Sequence, residues 1–242
     1  MPRLPVLVLC GGLGTRLRAA VADRPKVLAP VGGAPFLSHL LAHLARQNFT
    51  DVVLATGYLG EMVEACAGDG SAWGVRLRYA HEPEPLGTGG AVRFAAHAAG
   101  IAGPLLVMNG DTFFSAPLGE LVAFHRAREG AAASLALARV EDAARFGTVA
   151  HDPASGLVSE FVEKGAQTGP AWINAGVYVL EPAALAGQAP GPAAFSLERD
   201  VFPRLAGHAL YGCPFPDAVF LDIGTPGDYA RAPDVLNRIA RD

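Results

Sequence analysis

Apolar and polar positions divide the first half of the chain into short apolar runs and longer stretches of helical spacing. Residues 5–10 are apolar throughout and stop at Gly11-Gly12. Residues 51–57 repeat the pattern and stop at Gly57; residues 104–109 repeat it again and stop at Gly110-Asp111. Such runs predict strands buried on both faces. Between them, residues 35–48 have helical spacing, with Pro35 suited to a first turn. Residues 59–67 predict a short helix, and residues 75–81 alternate like a strand with one polar face. Pro85-Leu-Gly-Thr-Gly-Gly90 opens an Ala-rich helix to about Ala99. Strands alternating with helices predict an α/β fold with a three-layer α/β/α arrangement. Right-handed crossovers set the strand C-terminal ends along one edge. Gly11, Glu82 and Asp111 each follow a strand, so they are expected to converge there, where open α/β sheets bind ligands.

The second half is richer in strands. Residues 118–128 read as a helix, and residues 132–140, 147–151, 157–163 and 172–180 as strands. A loop surrounds Pro190, residues 196–205 form a helix, residues 218–222 a last strand and residues 226–241 a closing helix. With no repeats and no linker, residues 1–242 read as one domain of two lobes, about 1–115 and about 116–242.

Composition narrows the function classes. Hydrophobic residues make up 51% and charged residues 17%, a globular balance without a disordered signature. A formal charge of −4 argues against a general nucleic-acid binder, so any anion must meet a local basic cluster. Cys10, Cys66 and Cys213 are odd in number and lack C-x-x-C spacing, which implies neither a disulfide framework nor a zinc site. Cys66 and Cys213 read as packing residues. No segment approaches the ~20 apolar residues of a membrane span, and Met1-Pro-Arg-Leu-Pro lacks a signal-peptide pattern. A cytoplasmic setting without a membrane partner is the expectation.

The most informative stretch is Gly11-Gly-Leu-Gly-Thr-Arg16, followed by Arg24-Pro-Lys26. It is not a dinucleotide fingerprint, because Leu17 stands where the third glycine belongs. It is not a P-loop either, because Lys26 is not adjacent to the last glycine. Glycines let backbone N–H groups approach a ligand, and Arg16 and Lys26 just beyond them describe a site for several phosphates. The expectation is an enzyme that handles a nucleoside triphosphate. Asp111 on its own reads equally as a turn cap; Asp222, which also follows an apolar run, supplies a second carboxylate. Hard oxygen ligands of this kind suit Mg²⁺. His39 and His43 are spaced i, i+4 without a neighbouring Glu or third ligand and read as ordinary helix residues, and Arg76 and Arg78 as a solvated strand face.

These residues carry a resemblance. Leu9-Cys-Gly-Gly-Leu-Gly-Thr-Arg-Leu17 with Arg24-Pro-Lys-Val-Leu-Ala-Pro30 resembles the signature of the sugar-phosphate nucleotidylyltransferases. The similarity continues through Glu82–Gly90, Asn109-Gly-Asp-Thr112, Phe146-Gly147, Glu163-Lys164, Asn174-Ala-Gly176 and Leu221-Asp-Ile-Gly-Thr-Pro226, nearly the whole chain. It implies a Rossmann-like, GT-A-like fold with a mixed, mostly parallel sheet. It also implies an enzyme that joins a nucleoside triphosphate to a sugar 1-phosphate as a monomer or homodimer, without nucleic acid. By resemblance, Leu9, Gly11, Gly12, Gly14, Thr15, Glu82, Gly87, Thr88 and Asp111 line the nucleotide. Arg16, Lys26, Asp111 and Lys164 carry catalysis, and Asp111 and Asp222 hold Mg²⁺. Gly147, Glu163, Lys164 and Asn174 hold the sugar phosphate. Cys10 departs from the usual Ala, and a small buried thiol there should be tolerated.

Glu82 bears on the choice of base. A carboxylate accepts two adjacent hydrogen bonds, as from N1–H and the N2 amino group of guanine, and repels the carbonyls of uracil and thymine; a mismatch costs about 1–3 kcal/mol or more. GTP is therefore the expected donor. Residues 84–91 and 109–114 and the short chain look most like D-glycero-D-manno-heptose 1-phosphate guanylyltransferases. Mannose 1-phosphate guanylyltransferases and short uridylyltransferases for amino-sugar phosphates are close competitors. A helix ending the chain soon after Asp222 is expected to exclude bifunctional relatives with a hexapeptide-repeat domain. A non-catalytic nucleotide-sugar sensor fits poorly with intact Arg16, Lys26, Asp111, Lys164 and Asp222, and a GT-A glycosyltransferase lacks its Asp-x-Asp at Asp111-Thr-Phe.

Overall fold

A computed structural model describes residues 4–12, 21, 23–162, 168–185 and 194–239. In chain order the first half holds β1 (Val6–Leu9), β2 (Pro30–Val31), β3 (Ala34–Pro35), α1 (Phe36–Arg46), β4 (Asp51–Thr56), α2 (Gly60–Ala67), β5 (Arg76–His81), α3 (Gly87–Ala98), β6 (Leu105–Asn109) and β7 (Thr112–Phe114). The second half holds α4 (Leu118–Arg126), β8 (Ala133–Val140), β9 (Thr148–His151), β10 (Val158–Val162), β11 (Ala171–Leu180), a π-helical turn at Leu197–Val201, α5 (Phe202–Leu205), β12 (Leu210–Phe215), β13 (Phe220–Asp222) and α6 (Pro226–Ile239). The loop expected around Pro190 and the end of the closing helix lie outside the described residues.

Nine strands form a mixed central sheet ordered β10-β9-β11-β6-β1-β4-β5, with β8 beside β11 and β12 beside β8. β6, β1, β4 and β5 run parallel. β11 joins the halves, pairing antiparallel with β6 along residues 177–180 and with β8 along most of its length. The period of two explains why the apolar runs became interior strands. Val6 and Val8 of β1 face a core with Leu40, Leu41 and Leu44 of α1, Leu121 of α4 and Leu236 of α6. Leu7, between them, faces the opposite core with Val92 and Ala95 of α3 and Phe202 of α5. Helices therefore cover both faces of the sheet, as the alternation of elements required. No helix among the described residues is long and apolar enough to cross a membrane.

Four local expectations are corrected. The helix of residues 196–205 is a π-helical turn followed by α5, and Pro203, which lacks an N–H, sits at the start of α5. β12 was not foreseen because it contains Gly212 and Pro214; its ladder runs along β8, with a single bridge from Tyr211 to Leu157 on its other side, and an edge strand tolerates proline. Cys213 is buried, but Cys66 is exposed on α2 rather than part of the core. Arg76 is exposed beside Asp51, whereas Arg78 is half-buried, donating to the Ala99 carbonyl at 2.7 Å and to Asp51 at 3.3 Å.

His39 contacts the Val31 carbonyl at 3.0 Å, and His43 is buried with its ring 4.9 Å from that of Phe113. Burial, aided by the charge of Arg46, pushes the His43 pKa from 6.5 down to about 4. Gln47 Nε2 lies 2.8 Å from His43 Nε2, while Gln47 Oε1 is held by the Leu118 N–H, so the neutral ring accepts the amide. The unfolded chain binds a proton below pH 6.5 and the folded chain only near 4, so stability is full above 6.5 and declines as pH falls. Between pH 7.5 and 5 the loss from this group should be about 2 kcal/mol. Urea midpoints at the two values should therefore fall further for the wild type than for His43→Gln; equal losses would contradict it.

Candidate active site

The C-terminal edge of the parallel strands gathers most of the expected residues. β1 ends at Leu9, and Cys10 N–H donates to the Ala55 carbonyl at 2.7 Å, carrying Gly11 alongside the end of β4. Glu82 follows β5 and its N–H donates to the Thr56 carbonyl at 2.7 Å. A Cβ on Gly11 would stand 2.5 Å from Glu82 Oε1, so only glycine lets the carboxylate lie against the turn. Glu82 Oε2 accepts the Leu86 N–H at 3.2 Å, and partial burial raises the Glu82 carboxyl above its ordinary range. Gly12 is exposed beyond Gly11. Gly14, Thr15 and Arg16 lie outside the described residues, as do Glu163 and Lys164.

On the other side of β1, Gly110 N–H donates to the Leu9 carbonyl at 2.9 Å. A Cβ there would meet that oxygen at 2.5 Å, so the second glycine brings Asp111 close to the β1 turn. A side sheet then delivers Asp222. β13 pairs antiparallel with β7, placing Asp222 opposite Thr112, and Ile223 N–H donates to the Asp111 carbonyl at 3.0 Å. The strand expected at residues 218–222 is β13, but its partner β7 was not read from the sequence, because three residues are too short to show a period.

Lys26 completes the cluster. A short 3₁₀ turn at Lys26–Leu28 directs its ammonium to within 2.6 Å of Asp111 Oδ2 and 3.9 Å of Asp222 Oδ1. Gly224 N–H holds Asp222 Oδ1 at 2.6 Å. Partial burial alone would raise the Asp111 carboxyl, but the charge and hydrogen bond of Lys26 outweigh it and hold it below the usual carboxylate range. Burial, then the charges of Asp111 and Glu82, push the Cys10 thiol upward, so it stays protonated in the core. Arg24 turns away, exposed and paired with Asp23. Among the described residues no three His, Cys, Asp or Glu side chains form a metal cluster. Among the described residues, the site provides two carboxylates around Lys26.

On the far side of β6, Gly147 and Asn174 come together, with Asn174 N–H donating to the Gly147 carbonyl at 3.2 Å. Asn174 Nδ2 donates to the Tyr178 hydroxyl at 2.9 Å, and its Oδ1 accepts the Gly176 N–H at 2.9 Å. Gly87 and Thr88 open α3, and Thr88 Oγ1 donates to Glu198 Oε2 at 2.7 Å. Tyr178 and Glu198 had no signal in the sequence: Glu198 lies 110 residues from Thr88, and Tyr178 reads as one more apolar strand position.

The family model of the nucleotidyl transferases matches residues 5–238. The chain is 39% identical to a mannose-1-phosphate guanylyltransferase of Mycobacterium tuberculosis over 98% of its own length and 66% of the relative's. It is 35% identical to a D-glycero-alpha-D-manno-heptose 1-phosphate guanylyltransferase of Aneurinibacillus thermoaerophilus over 95% of this chain and 96% of that protein. Its fold is similar to that of HddC from Yersinia pseudotuberculosis, solved as a complex with GMP-PN. The TM-score is 0.82 at 30% identity, covering 96% of this chain and 99% of the other. The chain spans 61–66% of the length of the mannose-1-phosphate guanylyltransferases it matches.

Proposed function

The chain belongs to the nucleotidyl transferase family, and we propose that it transfers a nucleotidyl group from GTP to a sugar 1-phosphate, releasing pyrophosphate. Heptose 1-phosphate is the favoured acceptor, since the relative of matching length acts on it by name. Mannose 1-phosphate is the second reading, supported by the 39% identity to a longer guanylyltransferase. The observation that carries the reaction class is the position of Lys26, between Asp111 and Asp222 at the strand edge, with β1 and β4 lying between the strand that precedes Asp111 and the one that precedes Glu82.

A sugar 1-phosphate is already an anion and attacks the α-phosphorus without a general base, so catalysis rests on positioning and charge neutralisation. In this reading Lys26 faces the α-phosphate, Arg16 holds the leaving pyrophosphate and Lys164 the attacking phosphate. Asp111 and Asp222, already gathered around one cation, are hard oxygen donors of the kind Mg²⁺ takes beside substrate phosphates. Bound there, Mg²⁺ neutralises phosphate charge. Leu9, Gly11, Gly12, Gly14, Thr15, Gly87 and Thr88 line the nucleotide, and Gly147, Glu163 and Asn174 the sugar. The lobes of about 1–115 and 116–242 work as one unit, a reading supported by the β6–β11 ladder.

Glu82 selects the base by accepting from N1–H and the N2 amino group of guanine. Its Oε1 stands beside Gly11, where a base stacked over the turn would meet it. Across four nucleoside triphosphates the wild type should prefer GTP, and Glu82→Gln should narrow that preference by about 10-fold, the worth of a charge-assisted hydrogen bond. A wild type that prefers UTP contradicts the assignment.

A further inference from the structure

A chain of hydrogen bonds runs from the start of α3 to the strand that carries Asn174. Glu198, in the π-helical turn, accepts on Oε2 from Thr88 Oγ1 at 2.7 Å and from Ser196 Oγ at 2.8 Å. On Oε1 it accepts from the Tyr178 hydroxyl at 3.3 Å. Thr88 Oγ1 accepts in turn from the Leu197 N–H at 2.9 Å. Tyr178 is wholly buried, and its oxygen takes Asn174 Nδ2 and a hydrogen bond from Asn109. Asn109 lies over the irregular turn of β11 at Gly176, where a Cβ would be 2.8 Å from Asn109 Nδ2.

A carboxylate only accepts, and each hydroxyl has one hydrogen to give. Thr88 and Tyr178 both give theirs to Glu198. The Tyr178 oxygen is then left to accept, so both amides must turn an N–H toward it. Unspent hydrogen-bonding capacity remains on both amides. Asn109 Oδ1 is buried without a hydrogen-bond partner among the described residues, and Asn174 Nδ2 keeps its second hydrogen. Buried polar atoms are seldom left unmatched, and Asn109 stands two residues before Asp111 at the strand edge.

We propose that Glu198 is a positioning residue: through Tyr178 it fixes the hydrogen-bond sense of Asn109 and Asn174, giving the sugar subsite one acceptor and one donor that select among sugar hydroxyl arrangements. Asn109 Oδ1 takes a sugar hydroxyl. The inference rests on the nucleotidyl-transfer reading above. Glu198→Gln separates the two ends of the chain. Its amide oxygen still accepts from Thr88, while its NH₂ faces Tyr178 and reverses that hydroxyl. The nucleotide end is thereby kept and the sugar end inverted.

The test is steady-state kinetics of the whole chain with Mg²⁺, GTP and either mannose 1-phosphate or its C2 epimer glucose 1-phosphate. Glu198→Gln should raise the KM for the preferred sugar 1-phosphate about tenfold, the worth of one hydrogen bond. It should leave the KM for GTP within about twofold and narrow the preference between the epimers. Tyr178→Phe keeps the buried ring, removes the hydroxyl and should do the same. An active wild type whose variants keep its sugar KM and preference overturns the inference alone, as do equal rises in both KM values. A wild type inert with every pair of substrates overturns the reading and the inference with it.

Discussion

Replacing Lys26 with Met is expected to lower pyrophosphate release by about 10²–10³-fold at saturating substrates, the usual cost of one preorganised electrostatic group. Its ammonium has only 13% of its side chain exposed and sits 2.6 Å from Asp111 and 3.9 Å from Asp222. Met fills the same space without charge. It leaves the two carboxylates facing each other, and the Asp111 carboxyl rises toward its ordinary range. Since Lys26 depresses that group in the folded chain, the pair stabilises the wild type above the ordinary carboxylate pKa. The benefit is lost as pH falls through the lowered value. The variant should lack this acid-sensitive component, a modest one because Asp111 is 38% exposed and screened by solvent. Full turnover by a folded Lys26→Met chain, checked by circular dichroism, contradicts the assignment.

Asp111→Asn is expected to cost about as much or more, roughly 10³-fold in rate, and to raise the Mg²⁺ concentration that gives half the maximal rate. Even the loss of an outer-shell partner costs a metal site about 10–100-fold in affinity, and Asp111 is proposed as a ligand. The substitution preserves shape, because Gly110 and the Ile223 N–H hold the backbone of residue 111 whatever its side chain. Lys26 is left with Asp222 as its charge partner. Rates measured across a Mg²⁺ series should show both effects. An unchanged Mg²⁺ midpoint with a rate within tenfold of wild type removes Asp111 from the metal role.

Sequence and fold agree most closely where burial imposes a pattern. Residues 6–9, 52–55 and 105–108 are apolar because both faces of each strand are covered, and the glycine after β1 marks where the chain turns into the site. α1 and α3 keep their spacing because one stripe packs on the sheet. Elsewhere the cause lies in tertiary structure. β7 and β13 exist because they pair with each other, and that pairing turns Asp111 and Asp222 from two separate strand ends into one cluster. β12 survives Pro214 because of where it sits in the sheet. Glu198 gains its meaning only when the π-helical turn brings it to Thr88 and Tyr178. Arg78 looked solvated because its partners, Asp51 and the Ala99 carbonyl, lie 27 and 21 residues away.

The most direct test of the central claim is a Mg²⁺-dependent pyrophosphate-release assay that crosses GTP, UTP, ATP and dTTP with heptose, mannose, glucose and N-acetylglucosamine 1-phosphates. Release should require Mg²⁺ and a sugar 1-phosphate together and be fastest with GTP and a manno-configured acceptor. Binding of nucleotide without release in any combination would contradict it and leave the chain a sensor rather than an enzyme.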